Sequence, residues 1–530
     1  MTGQLKHKVI VPAALPEEHP VSYAERLSAG YSEQITEQHR KTLGLFFTPA
    51  SIARYMGALC RNGTGHFVRI ADPAAGTGIL GCAACVALAE SANAPRHIDL
   101  VCHEVDEALR APLEAALLHL QRRLAARRIR LRYRIELHDF LMAHAEALEA
   151  GLLRSREPMF DAVICNPPYF KLPKSDRRAR ACSSVVHGQP NIYGLFMAVG
   201  AALLREGGRF VFITPRSYAS GPYFRRFREL FFQLIRPTDI HVFGSRTDAF
   251  SHVLQETVIT AGTRLTGWDR NVGKQRIRLS ASTGAEDIAS ASTRMLPLSG
   301  VLRGDCAHRV LYFPASKDHD RVSALVRKWP GSLHDFGWEV STGPVVAFRA
   351  RRFLCDGPVR NGVPLLWLQN VAPMEVRWPV NMRKSQHVLS CPDSQSILVP
   401  NRNYVVLRRF SAKEDKRRLT AAPQIASAFA SEKIGLENHL NFIHKPGGEL
   451  TVDEAFGLAA LFNSRLLDTY VRISSGNTQI SATELRALRL PGIEVIRRIG
   501  TRARAEPADL EAIVSEEVFR GNRGHGRSDR

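Results

Sequence analysis

Ile70-Ala71-Asp72-Pro73-Ala74-Ala75-Gly76-Thr77-Gly78 closes the apolar run FVRIA and opens into ILGCAACVALA, so a strand leaves through a glycine-rich turn into a helix. Glycines in such a turn remove the side chains that would keep a ligand from the backbone and the helix N-terminus. Working outward, six further runs follow up to about Ile259: HIDLVCHE, YRIELHD, FDAVICN, RFVFITP, DIHVFG and ETVITAG. They alternate with stretches of helical period, the pattern of an α/β fold whose doubly wound, Rossmann-like sheet is covered on both faces. Seven strands, mostly parallel, are expected. Ligands of such sheets bind beyond the carboxyl ends of the strands, where this chain places Asp72, Glu104, Asp139 and Asn166.

The turn alone leaves the ligand open. Gly76-Thr77-Gly78-Ile79-Leu80-Gly81 also satisfies GxGxxG, and Glu104 lies at the offset of a ribose-binding acid, so a dinucleotide oxidoreductase is a rival reading. Asp72 and Pro73 ahead of the glycines discriminate. A carboxylate there repels a pyrophosphate and suits the cationic amino-acid end of S-adenosylmethionine, while Glu104 can accept two ribose hydroxyls in either case.

Asn166-Pro167-Pro168-Tyr169 follows the run FDAVIC. Two prolines fix an extended turn and remove two N–H donors, leaving carbonyls free to accept. The chemistry that suits this arrangement is activation of a planar exocyclic amine, held by the side-chain oxygen of Asn166 and the carbonyl of Pro167. Tyr169 supplies an aromatic face for the base that carries it. A bare proline turn beside an Asn cap is the plainer alternative. Upstream, Tyr23 to Arg40 reads as a helix, and Thr48 is placed to cap the next helix with Pro49 in its first turn.

Taken together and in this order, LFFTP, DPAAGTG, HEVD, HDF, NPPY and FxxVLQETVI resemble the motifs of S-adenosylmethionine-dependent N6-adenine DNA methyltransferases of the gamma class, as in type II restriction-modification systems. The resemblance covers roughly Leu45 to Ile259. It implies that Phe47, Thr48 and Pro49 border the cofactor, that Asp72, Ala74, Gly76 and Gly78 belong to its loop, that Glu104 holds its ribose, and that Asp139 and Phe140 contact its adenine. It further implies that Asn166, which also borders the cofactor, acts with Pro167, Pro168 and Tyr169 to hold the target base. Phe250, in AFSHVLQETVI, matches a second aromatic that packs on the flipped adenine, with Phe243 a near neighbour and plain core an alternative for either.

The chain's 72 Lys and Arg against 51 Asp and Glu, a formal net charge of +21, point to a polyanionic partner, with a ribosomal or membrane-surface protein or a merely solubilising basic surface as alternatives; the resemblance implies that the partner is double-stranded DNA. The apolar fraction of 45% excludes a disordered or collagen-like chain. Nine scattered cysteines without a secretory signal argue against a disulfide framework and for the cytoplasm. Cys82 and Cys85 sit among small apolar residues, so helix packing is expected and no metal site. No apolar run reaches the roughly 20 residues of a membrane span.

The expected organisation is an N-terminal helical extension (1–44), a catalytic domain (45–300) whose stretch from Thr266 to Gly300 is a linker or irregular connection, a mixed α+β target-recognition domain (301–495), and a basic, partly disordered tail (496–530). Basic runs at Arg349 to Arg352, Arg408-Arg409 and Lys413 to Arg418 offer phosphate contacts, a solvated face being the plainer alternative for each, and the polar stretch Ser474 to Gln479 offers amides for base edges, with an ordinary Asx turn as its alternative. Protein-glutamine or RNA methyltransferases using the same NPPY chemistry, and a non-catalytic DNA-binding adaptor, are the competing functions. The resemblance also implies a cognate restriction endonuclease on a separate polypeptide.

Overall fold

Both faces of each central strand find an apolar cover, which is why near-continuous apolar runs form a sheet here. In the computed structural model, Ala71, Val163, Phe210 and Phe212 pack on one face with Phe140, Tyr193 and Phe231, while Ile70, Ile164, Val211 and Ile213 pack on the other with Leu27, Ile52 and Leu113. The structure describes residues 10–523 apart from 45, 62–64, 150–158, 245–256, 266–274, 305–308, 412–416 and 475–479. It divides into two units, Met1–Ala315 and Ser316–Arg530.

In the first unit all seven runs become strands: β1 Phe67–Asp72, β2 His97–His103, β3 Arg130–Glu136, β4 Phe160–Cys165, β5 Leu204–Pro215, β6 Ile235–Phe243 and β7 Thr257–Arg264. The count of seven is too low, because β8 Arg276–Ser282 and β9 Ser292–Pro297 extend the sheet to the order β3-β2-β1-β4-β5-β7-β6-β8-β9. These two strands occupy the stretch expected to be a linker. Their sequence is Ser- and Thr-rich, yet Ile277 and Leu279 are buried, and the Ser280 and Ser282 hydroxyls each lie 2.9 Å from a ring nitrogen of buried His241. Hydroxyls buried against a partner carry no apolar signal in the sequence. Strands β1 to β5 are parallel, and β7 enters antiparallel between β5 and β6. The direction of winding reverses between β1 and β4, so a crevice opens at their carboxyl ends.

The N-terminal segment is no separate extension. Helix α1 (Pro20–Gln34) buries Val21, Tyr23, Ala24 and Leu27 in the same core as Leu113 and Leu117 of α5 (Arg110–Ala125). It also reaches the glycine turn: Ser28 Oγ lies 2.6 Å from Thr77 Oγ1, which donates to the Ala24 carbonyl at 3.0 Å. The expected single helix breaks near Ile35 before α2 (Glu37–Leu43), and α3 runs Ala50–Leu59, capped from afar by Glu25 Oε1 at 2.7 Å from the Ala50 amide. Pro49, not Thr48, is the N-cap residue of α3, and no side-chain cap bond forms there.

The first unit ends beyond residue 300 because Val310–Leu311 pairs with Leu302–Arg303 and buries Leu311 and Phe313 in its core. The second unit is mixed. Strands Glu339–Thr342, Leu440–His444, Tyr404–Arg408 and Ala421–Gln424 form an antiparallel sheet, and a five-stranded sheet centres on Gly362–Leu366. The segment 496–523 is not a tail: helix Ile493–Ala505 crosses helix Val452–Asn463 so closely that a Cβ on Gly457 would overlap the Ile496 carbonyl and one on Gly500 the Asp453 carbonyl. Its arginines are paired within the unit, Arg497 with Glu454 at 2.8 Å and Arg498 with Glu517 at 2.9 Å. Among the described residues no helix is long and apolar enough to cross a membrane.

Candidate cofactor and amine site

The glycine turn forms one wall of a cavity of about 340 Å³ at the carboxyl ends of the parallel strands, a volume suited to one small molecule. Gly76 has φ +56°, and a Cβ there would stand 3.6 Å from Phe47 Cε1, filling the gap between turn and ring. Gly78, with φ +83°, precedes α4 (Ile79–Ala89), where a Cβ would sit 2.8 Å from Leu113 Cδ1. Both positions therefore favour glycine through their left-handed backbone, and a side chain on Gly76 would also take up cavity space.

Glu104 stands beside this turn. Its Oε2 accepts from the Gly76 amide at 2.9 Å, and its Oε1 from the amides of Val105 and Asp106 at 2.7 and 2.9 Å. Burial raises its carboxyl above the usual range and these amides pull it back. Asp139 caps α6 (Phe140–His144) through Oδ1, which accepts from Leu141 and Met142 at 2.9 and 3.2 Å, leaving Oδ2 3.8 Å from Arg178 Nη1. Arg178 is meanwhile paired with Asp176 at 2.8 Å.

At the end of β4 the amide of Asn166 is fixed by its partners. Its Nδ2 donates to the Phe46 carbonyl at 2.9 Å and to Thr48 Oγ1 at 3.0 Å, so the hydroxyl that was expected to cap a helix orients Asn166 instead. Both amide hydrogens are spent, and Oδ1 is the acceptor. It receives the Tyr169 hydroxyl at 2.6 Å, which also lies 3.0 Å from the Ile213 carbonyl. One proton serves those two acceptors, so it can turn to the Ile213 carbonyl and free Oδ1 for another donor. Burial pushes the Tyr169 phenol well above its usual range, keeping it a donor. Its ring stacks on Phe46 at 5.4 Å and meets Tyr193 edge-on at 6.2 Å.

Of the residues expected at the site, the structure brings Phe47, Thr48, Ala74, Gly76, Glu104, Asp139, Phe140, Asn166 and Pro168 to the cavity wall. Pro49, Gly78, Pro167 and Tyr169 are not among the residues that line it. Phe250 lies outside the described residues, and Phe243 is buried against His241 at 4.6 Å between ring centroids. Sequence reasoning missed Phe46, Phe170, Arg178, Phe196 and His103, which also line the cavity. His103 adjoins Glu104 in HEVD, both its ring nitrogens are buried without a partner, and burial pushes its imidazole down to about 3, so it is neutral.

Asp72 departs from expectation. It is fully buried behind the turn, where Oδ2 accepts from the Gly81 amide at 3.0 Å, and it does not line the cavity. Burial pushes its carboxyl up to about 7. A carboxyl with a raised folded value holds its proton more tightly in the native chain. Stability is therefore fullest below the unfolded value near ~4 and is lost as pH rises towards about 7. Asp72→Asn, which keeps an oxygen for Gly81, is expected to melt several degrees above the wild type at pH 8 and level with it at pH 4. Its affinity for S-adenosylmethionine should stay within about threefold, as the carboxyl is out of reach of a ligand. Calorimetric titration showing a collapse of that affinity would restore Asp72 to the binding surface.

The cavity wall carries two carboxylates, Glu104 and Asp139, and one guanidinium already paired with Asp176. That balance suits a cationic adenosyl compound and opposes a pyrophosphate. Among the described residues no group of three or more His, Cys, Asp or Glu is arranged to hold a metal ion. An α/β sheet with this crevice, a glycine turn and a strand-end Asn-Pro-Pro-Tyr defines a methyltransferase. The Eco57I restriction-modification methylase family matches residues 121–250. The chain is 31% identical to the type II methyltransferase M.PstI of Providencia stuartii, over 91% of this chain and 94% of that one. It is equally 31% identical to M.BsuBI of Bacillus subtilis, over 87% and 90%. The chain belongs to the type II restriction-modification methyltransferases, DNA-binding enzymes that use S-adenosylmethionine.

Proposed function

We propose that this chain is a site-specific DNA methyltransferase that methylates the N6 amine of an adenine flipped out of double-stranded DNA. The observation that carries the reading is the orientation of Asn166, whose amide hydrogens are committed to Phe46 and Thr48, so that an acceptor oxygen is offered to an N–H donor. Glu104, Asp139, Phe47 and the turn at Gly76 hold S-adenosylmethionine, which supplies an electrophilic methyl group on a sulfonium. Asn166 Oδ1 and the Pro167 carbonyl accept hydrogen bonds from the two amine N–H groups, which directs the nitrogen lone pair at the methyl. As the N–C bond forms the S–C bond would break to leave a neutral thioether, and the amine proton, made acidic by the new bond, passes to solvent without a strongly basic side chain. Pro168 and Tyr169 form the apolar side of the base pocket, and Phe250 is proposed as its second aromatic. The second unit reads the DNA sequence. The enzyme acts as the modification partner of a separately encoded endonuclease. Methylome sequencing of a host expressing the chain tests this: N6-methyladenine at one defined motif is expected, and cytosine methylation or no new mark would overturn it.

Tyr169 gives a second check. Tyr169→Ala is expected to weaken base binding by about 1–3 kcal/mol of lost stacking, leaving slow residual turnover. Tyr169→Phe keeps the ring and removes the hydroxyl that competes for Asn166 Oδ1, so kcat should stay within about twofold and KM for DNA should not rise. Steady-state methylation of a cognate duplex separates the two variants, and a Phe variant as impaired as the Ala variant would assign the hydroxyl an essential role.

A further inference from the structure

The basic runs of the second unit do not share one fate. Arg408 Nε donates to the Val371 carbonyl at 2.7 Å and Arg409 Nη1 to the Asn438 carbonyl at 3.1 Å. Arg417 pairs with Glu511 at 3.0 Å, Arg418 is buried, and residues 412–416 lie outside the described residues. These arginines hold the unit together. The run at Arg349 to Arg352 is different: Arg349, Arg351 and Arg352 are exposed, Arg352 making a solvent-exposed pair with Asp393 at 3.8 Å, and Phe348, next to Arg349 in the chain, has 76% of its surface exposed. An isolated exposed apolar residue needs no explanation, but this one sits on a fixed mount. Val345 and Ala350, on either side of it, are buried in a core with Val363, Leu365 and Val388. The amides of Arg349 and Ala350 both donate to the Val346 carbonyl at 2.9 Å, and that of Phe353 to Ala350 at 2.8 Å. These bonds and the burial of Val345 and Ala350 fix the backbone on either side of Phe348. The Arg349 guanidinium lies 5.3 Å from the Phe348 ring, and from Val345 to Arg360 the sequence has four Arg against one Asp.

We propose that this turn docks duplex DNA, with Phe348 wedged against a base step and Arg349, Arg351 and Arg352 on the phosphates beside it. This deepens the DNA-methyltransferase reading and rests on it. A single ring bordered by cations matches stacked bases bordered by phosphates, whereas a protein or membrane surface would call for a contiguous apolar patch. The test uses the full chain and a fluorescent duplex carrying the motif found by methylome sequencing, beside a scrambled duplex. Phe348→Ala should weaken binding to the duplexes by roughly 5- to 100-fold, the range for one lost base–aromatic stack, with no change in salt dependence. Phe348→Trp should restore it. Replacing the three arginines by alanine should flatten the slope of log affinity on log salt by about 2 to 3. S-adenosylmethionine binding should be unchanged in every variant. If the wild type binds and methylates the duplex while Phe348→Ala and the triple-arginine variant bind within twofold of it, the proposal falls. If the wild type neither binds nor methylates duplex DNA, the underlying reading falls with it.

Discussion

Asn166→Ala is expected to lower methyl transfer to DNA by roughly 100- to 1000-fold, the usual cost of deleting one preorganised polar group from a reacting centre. The size follows from the geometry: the orientation of Oδ1 is enforced from outside, by the Phe46 carbonyl and Thr48. Affinity for S-adenosylmethionine should change by less than about tenfold, since the side chain acts mainly on the amine. Single-turnover transfer of a tritiated methyl group, beside a calorimetric titration, separates the two quantities. Near wild-type transfer would remove the role given to Asn166. Thr48→Val is the milder companion, because it takes away only one of the two partners that fix the amide.

Glu104→Ala is expected to weaken S-adenosylmethionine binding by roughly 100-fold, the equivalent of one or two hydrogen bonds to a charged group at about 1.5–3 kcal/mol each. Two effects add here. The acceptor for ribose hydroxyls is lost, and the amides of Gly76, Val105 and Asp106 lose the carboxylate that draws them together. Glu104→Gln should fall between the wild type and Ala, as it keeps an oxygen without the charge. Titration of the wild type with NADH belongs to the same experiment: preferential binding of NADH would return the chain to the oxidoreductases.

The sheet was legible because its central strands are buried on both faces, so their apolar runs stand out and their polar exits mark the crevice. β8 and β9 were not, because Ser280 and Ser282 are buried through hydroxyl contacts to His241. The terminal helices were misread for a related reason. A stretch rich in arginine looks like a free basic tail until Glu454 and Glu517 are seen to neutralise it across a helix crossing. Within the site, Glu104, Asp139 and Asn166 were legible from their positions at strand ends. Asp72 occupies an equivalent position but turns under the loop to Gly81, and strand position alone does not report which way a side chain points. Phe46, Arg178 and His103 come to the cavity through tertiary packing, for which a single sequence carries no local signal.

The bond from the Tyr169 hydroxyl to Asn166 Oδ1 has a kinetic corollary if the amine docks as proposed. An amide oxygen facing an empty apolar pocket would be costly to leave unpaired; with a resident donor it is satisfied between catalytic cycles. An arriving adenine therefore swaps partners instead of adding one, and the net return from that contact is small. Loose holding of the base is useful to an enzyme that must return it to the duplex. As the methylated base departs, the phenol can retake the oxygen, so expulsion of product and restoration of the waiting state become a single event.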